Sequence, residues 1–579
     1  MRRHLTLLTL LVLSAFIPVK TLAQAAQKST VATADTPVTG AISGRVVNES
    51  GQPLPGAVVR VYAINSITQG RLSAADNEGN FYINGLDPAT YGVFATLPAY
   101  VPVPRDVDVA ATYYRIGDSV RMELTKGGVV TGTVTTATGE PVVAVRVRAL
   151  QIKNARGEPP KGPMPSYSEQ TTDDRGIYRI YGLSPGTYLV YAGGSVSQPF
   201  GSANGYDSDS PTYAPSSTRD TASEVAVRSG EESNVDIRYR GEPGYSISGL
   251  VKSPVSNGMT ISLMPAGQVI GQVGNAFVPP GSQAFLFNGI ADGDYYLIAQ
   301  ASIPNPGSSP EMLISEPRRV TVRGADVTGL ELETKALGSI SGHFVLESSK
   351  APECQQKRQP LFAETVATVE RKPRTSDKDP FWLPYFSSSA AIDKDWGFVF
   401  RNLGPAQYSF NPRFFARYWF LQSITLPPPP GNKSTARIDA ARNWTSLKWG
   451  ERLAGLTVVL AEGAASVRGK ITAAEESAKL PAGLSAYLTP AEREKADDVL
   501  RFFVSDVAAD GTFALNNLPP GRYLVLVQGQ ENEVATTTKL RSPTSADART
   551  KLRQKAALEK KEIEFKPCQN VTDYSFQYK

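Results

Sequence analysis

One apolar frame recurs five times along this chain and limits what the chain can fold into. Each copy has an aromatic residue, followed by an apolar residue two positions later, an aliphatic residue five positions later and a tyrosine ten positions later. The copies are Phe81, Ile83, Leu86, Tyr91; Tyr178, Ile180, Leu183, Tyr188; Phe285, Phe287, Ile290, Tyr295; Phe398, Phe400, Leu403, Tyr408; and Phe513, Leu515, Leu518, Tyr523. A constant spacing in five otherwise divergent segments indicates a tandem repeat.

The frame has the spacing of a strand with one buried face. Two apolar residues two positions apart lie on the same face of a strand. A turn rich in Pro, Gly, Asp and Asn follows, as at Asp87-Pro88, and the tyrosine then begins a second strand. The pattern therefore predicts a β-hairpin in every copy.

Each repeat opens with a strand that carries a glycine, which predicts a bulge or a close backbone approach. These glycines are Gly44, Gly132, Gly249, Gly342 and Gly469. We predict an all-β tandem array of five seven-stranded β-sandwiches over residues 39–125, 126–243, 244–336, 337–462 and 463–579. Helices are expected only at about residues 546–562, near the C-terminus, and in a connector at 440–453.

The first residues are typical of a signal peptide for export. Arg2 and Arg3 precede an apolar run, and Ala23-Gln24-Ala25 has the small-x-small form of a cleavage site. We assign residues 1–25 to the signal peptide and residues 26–38 to a flexible leader, with no transmembrane segment after cleavage. The protein is expected to be periplasmic, on the cell surface or secreted.

The charge of the mature chain argues against nucleic acid as a partner. Loss of Arg2, Arg3 and Lys20 lowers the number of basic residues from 60 to 57, against 55 acidic residues. The basic residues are dispersed along the sequence rather than clustered.

Cys354 and Cys568 are the two cysteines of the chain. In an oxidising compartment they could pair, although they lie in different predicted sandwiches. The sequence does not decide between a disulfide and two separate thiols.

The first repeat resembles the carboxypeptidase regulatory-like domain in Ile42-Ser-Gly-Arg-Val, Gly51-Gln-Pro-Leu-Pro-Gly, Asp76-Asn-Glu-Gly-Asn-Phe and Tyr91. The resemblance extends to the second and fifth repeats; the third lacks the Gly-Gln-Pro turn, and in the fourth Trp396 replaces the usual glycine. It implies an immunoglobulin-like or transthyretin-like sandwich, grouped with carbohydrate-binding-like folds and close to collagen-adhesin repeats. In carboxypeptidases this module adjoins the catalytic domain and performs no chemistry.

The residues needed for common hydrolytic sites are scarce. A zinc carboxypeptidase needs two histidines and a glutamate, whereas this chain has only His4, inside the signal peptide, and His343. We therefore predict no enzyme, no cofactor and no metal.

All five tryptophans fall in the fourth repeat. One interpretation is an exposed aromatic platform that stacks on sugar rings, with Trp382, Tyr385, Tyr418 and Trp419 as candidate glycan-binding residues. The other is a larger core that the long insertions of this repeat require.

Together these patterns predict an exported, non-enzymatic binding or scaffold protein of the cell envelope. Carbohydrate is the ligand class that the resemblance implies, so a polysaccharide or an envelope protein is the expected partner. Two alternatives are a structural or adhesive protein–protein spacer without a small ligand and an accessory or regulatory subunit of a peptidase.

Overall fold

The structure is a computed structural model that describes residues 39–64, 70–103, 112–159, 167–194, 205–266, 274–305, 309–372, 389–428, 435–473, 480–529 and 536–578. The predicted signal peptide and leader lie outside these residues. Within the described ranges, no helix combines the length and the apolar character needed to cross a bilayer.

The first two sandwiches each consist of two facing sheets. The first has β1 (Gly40–Val47), β2 (Val58–Ala63), β3 (Arg71–Ala74), β4 (Asn80–Leu86), β5 (Tyr91–Thr96), β6 (Tyr100–Pro102) and β7 (Ser119–Lys126), in orders β4-β1-β7-β6 and β3-β2-β5. The second has β8 (Gly128–Thr135), β9 (Arg146–Asn154), β10 (Tyr167–Thr171), β11 (Ile177–Leu183), β12 (Gly186–Ala192), β13 (Thr212–Tyr213), β14 (Val225–Val227), β15 (Glu232–Asn234) and β16 (Ile237–Arg238). Its sheet orders are β11-β8-β15, with β16 also on β8, and β10-β9-β12-β13, with β14 also on β12.

In the third sandwich one strand joins the two sheets. Its strands are β17 (Tyr245–Lys252), β18 (Met259–Pro265), β19 (Gly274–Val278), β20 (Ala284–Ile290), β21 (Gly293–Ile303), β22 (Glu311–Ser315), β23 (Arg318–Val322) and β24 (Val327–Ala336). Because β22 pairs with both β21 and β24, the order runs continuously as β19-β18-β21-β22-β24-β17-β20, with β23 also on β21.

The fourth and fifth sandwiches return to two sheets. The fourth has β25 (Gly338–Glu347), β26 (Thr365–Arg371), β27 (Ser389–Ala391), β28 (Gly397–Leu403), β29 (Ala406–Phe410), β30 (Arg413–Phe414), β31 (Trp419–Leu426), β32 (Ile438–Asp439), β33 (Thr445–Leu447) and β34 (Arg452–Glu462). The fifth has β35 (Ala465–Ala473), β36 (Leu484–Pro490), β37 (Phe503–Asp506), β38 (Thr512–Leu518), β39 (Gly521–Gly529), α1 (Thr537–Arg541), α2 (Ala546–Glu559), β40 (Glu562–Phe565) and β41 (Asn570–Tyr578).

The sheet orders of the fourth sandwich are β28-β25-β34-β31-β32 and β27-β26-β29-β33, with β30 also on β26. Those of the fifth are β38-β35-β41 and β37-β36-β39-β40. Short 3-10 turns lie at Arg219–Thr221, Pro352–Cys354, Phe362–Glu364, Arg493–Lys495, Val499–Arg501 and Pro543–Ser545. The prediction of an all-β array with a helix near the C-terminus is confirmed.

Every residue of the repeated frame is buried, so the frame forms the centre of each core. The hairpin prediction, however, is wrong. In the first sandwich β4 pairs with β1, whereas β5 pairs with β2 in the opposite sheet. The turn between β4 and β5 therefore carries the chain from one layer to the other, and the frame's side chains meet in the core from both sides.

A hydrogen bond fixes this crossing in all five sandwiches. The tyrosine hydroxyl donates to the carbonyl oxygen four residues earlier at 2.7–2.8 Å, in the pairs Tyr91–Asp87, Tyr188–Ser184, Tyr295–Ala291, Tyr408–Gly404 and Tyr523–Pro519. The bond gives a carbonyl at the chain reversal a hydrogen-bond partner that regular strand pairing does not supply there. The last position of the frame is therefore tyrosine, because it requires a ring for the core and a hydroxyl for the turn.

The corner tyrosines give the fold a predicted sensitivity to alkali. Burial raises the pKa of Tyr295 and of Tyr408 from 10.0 to about 12 and also raises that of Tyr91, Tyr188 and Tyr523. Below pH 10 both folded and unfolded chains keep these protons. Between pH 10 and 12 the unfolded chain loses them while the folded chain retains them, so stability falls as pH rises.

For fully buried Tyr408 this decline should be about 1.4 kcal/mol per pH unit. Urea unfolding at a series of pH values above 9 checks it, and Tyr408→Phe should flatten the pH dependence. A urea midpoint that does not change with alkaline pH would contradict the prediction.

The opening glycines lie against the closing segment of the same sandwich. A Cβ atom at Gly44, Gly132, Gly249, Gly342 or Gly469 would lie 1.9–2.5 Å from a carbonyl oxygen of that segment. The closing strand runs parallel to the opening strand, as in the pairs β1–β7 and β25–β34. The predicted close backbone approach is therefore the reason for glycine at these positions.

The two helix predictions differ in outcome. Helix α2 occupies the predicted C-terminal region, and its Leu552 and Ala556 are buried with Tyr487 and Leu524 of the adjacent sheet. The connector at 440–453 is not helical: it holds turns, β33 and the start of β34. Strand pairing overrides its helical pattern, since β33 pairs with β29 and β34 with β25.

Candidate functional site

The sandwiches follow one another with little intervening chain. One residue separates β7 from β8 and β24 from β25, and two separate β34 from β35. Six residues separate β16 from β17. Such short connections bring the corner turn of one sandwich close to the preceding sandwich, so residues near the corner can bind across the junction.

The strand before each corner turn carries, one residue from its end, a residue with positive φ that differs between repeats. The first three use Gly85, Gly182 and Gly289, whereas the last two use Asn402 (φ 58°) and Asn517 (φ 57°). Asparagine tolerates this conformation better than most residues with a side chain. It also adds an amide that glycine lacks.

Both asparagine amides bind the backbone of the preceding sandwich. Asn402 accepts from the amide of Met312 at 2.9 Å and donates to the carbonyl of Pro310 at 3.0 Å. Asn517 donates to the carbonyls of Ala416 and Trp419 at 2.8 and 2.7 Å. The last two junctions are therefore joined by side chains whose position depends on the corner geometry.

The junction between the fourth and fifth sandwiches has the most links. A disulfide joins Cys354 to Cys568, which are 214 residues apart in sequence. Arg417 donates to Asn570 at 2.7 Å, and the backbone amides of Gly463 and Ala464 both donate to the carbonyl of Tyr418. Covalent and hydrogen-bonded links thus act at the same junction.

The α1 region of the fifth sandwich also contacts the fourth. The Thr538 hydroxyl accepts hydrogen bonds from Arg413 at 2.7 Å and from Asn411 at 3.0 Å. Close by, Arg541 donates to two backbone carbonyls and lies 4.3 Å from the centre of the Phe503 ring. Burial lowers the pKa of Arg541 to about 10, so it stays charged at neutral pH.

The first and fourth sandwiches touch although two others separate them in sequence. The amide of Thr90 donates to the carbonyl of Ala363 at 2.9 Å, and the Arg115 guanidinium lies 5.3 Å from the centre of the Phe415 ring. The chain therefore folds back on itself instead of making contacts only between sequence neighbours.

The aromatic residues of the fourth sandwich do not form the predicted platform where the structure describes them. Trp382 and Tyr385 lie outside the described residues. Trp419 is fully buried within the core, which corrects its assignment as a glycan-binding residue: a ring with no exposed face cannot stack on a sugar. Tyr418 is half-buried, with Lys357 5.0 Å and Arg417 5.7 Å from its ring centre.

Cations lie over two of the half-buried tryptophans of this sandwich. Lys372 lies 5.8 Å from the ring centre of Trp444, and Lys335 of the third sandwich lies 5.8 Å from that of Trp449. Trp396 has positive φ at the place of the usual glycine and packs against Phe344. The described tryptophans therefore serve packing and cation–π contacts.

The fifth sandwich carries an open groove of about 560 Å³ on the sheet that contains β35. Its lining includes Arg468, Lys470, Asp506, Asp573, Phe513 and Tyr574. The charges are mixed, and no group of three metal-ligating residues occurs in the described part of the chain. His343 lies exposed on β25. We find no catalytic arrangement among these residues.

Comparison with known proteins assigns the first sandwich. Residues 41–118 match the family model of the carboxypeptidase regulatory-like domain. The first sandwich is therefore similar to this domain, and we call it the regulatory-like domain. No curated protein matches the chain.

Several solved structures are similar to the chain that contains this regulatory-like domain. The TIE protein of Bacillus anthracis is 11% identical, over 78% of this chain and 74% of that chain, with a TM-score of 0.14. The minor pilin GBS52 of Streptococcus agalactiae is 13% identical, over 34% and 95%, with a TM-score of 0.19. The shaft pilin SpaA of Lactobacillus rhamnosus GG is 11% identical, over 35% and 97%, with a TM-score of 0.16.

An aromatic surface on the regulatory-like domain itself was not among the predicted sites. Tyr62 and Phe94 stack with ring centres 5.0 Å apart and planes 6° apart, on the outer face of the sheet β3-β2-β5. The alternation of β2 and β5 contained a signal for it, because Val58, Arg60, Tyr62 and Phe94 all occupy positions that face away from the core.

Proposed function

We propose that this chain is an exported, non-enzymatic scaffold protein of the cell envelope that holds its sandwiches in a fixed arrangement. The observation that carries the proposal is the junction between the fourth and fifth sandwiches. A disulfide, the Asn517 amide and the Arg417 side chain all cross it. Independent binding modules on a flexible chain need none of these links.

The described chemistry supports a non-enzymatic role. Residues 41–118 match a regulatory-like rather than a catalytic family, and no group of three metal-ligating residues occurs among the described residues. A polysaccharide ligand and a role as an accessory subunit of a peptidase stay predictions. The cations over Tyr418, Trp444 and Trp449 argue against sugar stacking on those rings.

Distance measurements between the fourth and fifth sandwiches test the proposal. With spin labels on exposed residues of each, the native protein should give a single narrow distance distribution. Asn517→Gly keeps the positive φ, as in the first three repeats, and removes the amide, so it should weaken the junction by about 1–3 kcal/mol. Combined with reduction of the disulfide, it should broaden the distribution.

Asn516→Gly is the matched control, because Asn516 is exposed on the same strand. It should leave the distribution narrow. A broad distribution in the native, oxidised protein would refute a fixed scaffold. A polysaccharide panel completes the test: saturable binding that Trp382→Ala or Tyr418→Ala removes would assign a carbohydrate ligand instead.

A further inference from the structure

The second sheet of the regulatory-like domain is exposed on its outer face. The equivalent positions in other sandwiches are buried. Phe94 of β5 pairs with Arg60 of β2, which pairs with Leu72 of β3. Phe94 is 51% exposed and Leu72 is 58% exposed. The equivalent positions in the other sandwiches follow from the corner tyrosine, because Phe94 lies three residues after Tyr91.

In the fifth sandwich the equivalent residue to Phe94 is Leu526, three residues after Tyr523. Leu526 pairs with Tyr487, which pairs with Val504, so these three occupy the positions of Phe94, Arg60 and Leu72. All three are buried, and they share a hydrophobic cluster with Leu540 of α1 and Leu552 of α2. The chain's own helices therefore cover this face in the fifth sandwich.

The second and third sandwiches also bury this position. Tyr191, the equivalent of Phe94, is 9% exposed and clusters with Tyr213. Its partner across the strands is Arg148, the equivalent of Arg60, which is buried and paired with Glu169 at 2.9 Å. In the third sandwich the equivalent Ile298 is 2% exposed. In the second sandwich, apolar residues thus cover this face and a carboxylate pairs with its arginine.

In the first sandwich the described residues leave the equivalent positions Phe94, Arg60 and Leu72 exposed, and Tyr62 beside them is half-buried. Tyr62 lies over Gly92 and stacks on one face of Phe94, which leaves the other face of the Phe94 ring available. Arg60 is exposed and has no acidic partner among the described residues. It is the sole charged residue among the outward-facing positions of the paired strands β2, β3 and β5.

We propose that this face, formed by Val58, Arg60, Tyr62, Leu72 and Phe94, is the docking surface for an acidic amphipathic helix of a partner protein. Leucine side chains of that helix would pack on Phe94 and Leu72, as Leu540 and Leu552 pack on the equivalent residues of the fifth sandwich. A carboxylate beside them would pair with Arg60, as Glu169 pairs with Arg148. Aromatic and arginine side chains often dominate binding at protein interfaces, and exposed apolar patches mark such sites.

The inference rests on the proposed scaffold role for its biological setting, but it can fail separately. It concerns a face of the first sandwich, whereas the scaffold proposal depends on the junction between the fourth and fifth. The distance distributions described above therefore report on one proposal and peptide binding reports on the other.

Titration of the full chain with a synthetic helical peptide tests the proposal. The peptide carries leucines at helical spacing on one face and glutamates on the other, and a second peptide has lysines in place of the glutamates. We expect saturable binding of the glutamate peptide alone. Phe94→Ser and Leu72→Ser should each weaken it about tenfold or more. Leu286→Ser, at an equally exposed leucine of the third sandwich, is the control and should have no effect.

Charge reversal gives the strictest check. Arg60→Glu should exchange the preference, so that the lysine peptide binds and the glutamate peptide does not. Equal binding of both peptides by the native protein, or no loss in Phe94→Ser, would overturn the proposal. Polygalacturonate and self-association are assayed in parallel. If Phe94→Ser abolished binding of polygalacturonate, the face would belong to a saccharide, and the proposal would be overturned. If it abolished a dimer, the face would belong to a second copy of this chain, and the proposal would also be overturned.

Discussion

Replacement of both Cys354 and Cys568 by serine should destabilise the fourth and fifth sandwiches by up to about 5 kcal/mol, the loop-closure value for a bond that spans 214 residues. The disulfide restricts the unfolded chain over most of two sandwiches, so its removal mainly favours the unfolded state. Urea unfolding monitored by tryptophan emission is a suitable measurement, because all five tryptophans lie in the fourth sandwich.

Reduction of the native protein provides the matching control and should shift the urea midpoint as the double substitution does. In denaturant, the single variants Cys354→Ser and Cys568→Ser should each show one reactive thiol, whereas the oxidised native protein should show none. Two reactive thiols in the native protein, or an unchanged midpoint after reduction, would contradict the expected stabilisation.

The second large effect is expected at Trp419. Trp419→Ala removes a fully buried indole from the core of the fourth sandwich and should cost about 3–5 kcal/mol of unfolding free energy. Its neighbour Tyr418 is half-buried and contacts Lys357 and Arg417 through its ring, so Tyr418→Ala should cost only about 1 kcal/mol.

Urea denaturation of the two variants separates a core tryptophan from a ligand-binding one. Circular dichroism follows unfolding here, since the substitution removes one of the fluorophores. If Trp419→Ala kept native stability but lost affinity for a polysaccharide, its assignment to the core would be wrong. A larger loss of stability in Tyr418→Ala than in Trp419→Ala would also contradict the burial.

The repeated frame was sufficient to predict the fold class because it reports burial directly. Phe81, Ile83 and Tyr91 are apolar at strand spacing, and all three lie in the core. The frame could not show which strands pair, since a hairpin and a crossing between layers bury the same residues. The choice is made by a positive-φ bulge before Leu86 and by the hydroxyl bond of Tyr91, both of which need three-dimensional geometry to recognise.

The candidate sites were harder to predict for a similar reason. Five tryptophans in one repeat were compatible with a platform and with a core, and only burial separates Trp419 from an exposed ring. No local pattern marks Asn517, because its partners, Ala416 and Trp419, are about a hundred positions away in sequence. The contact of Thr90 with Ala363 left no local signal at all.

The parallel arrangement of opening and closing strands determines how each sandwich would carry a mechanical load. Tension along the chain pulls the two strands in opposite directions along their length, because the chain enters at one end of the pair and leaves at the other. The hydrogen bonds between them then resist together in shear instead of opening one after another. Each sandwich is thus joined to its neighbours through its opening and closing strands, the pair that resists stretching best.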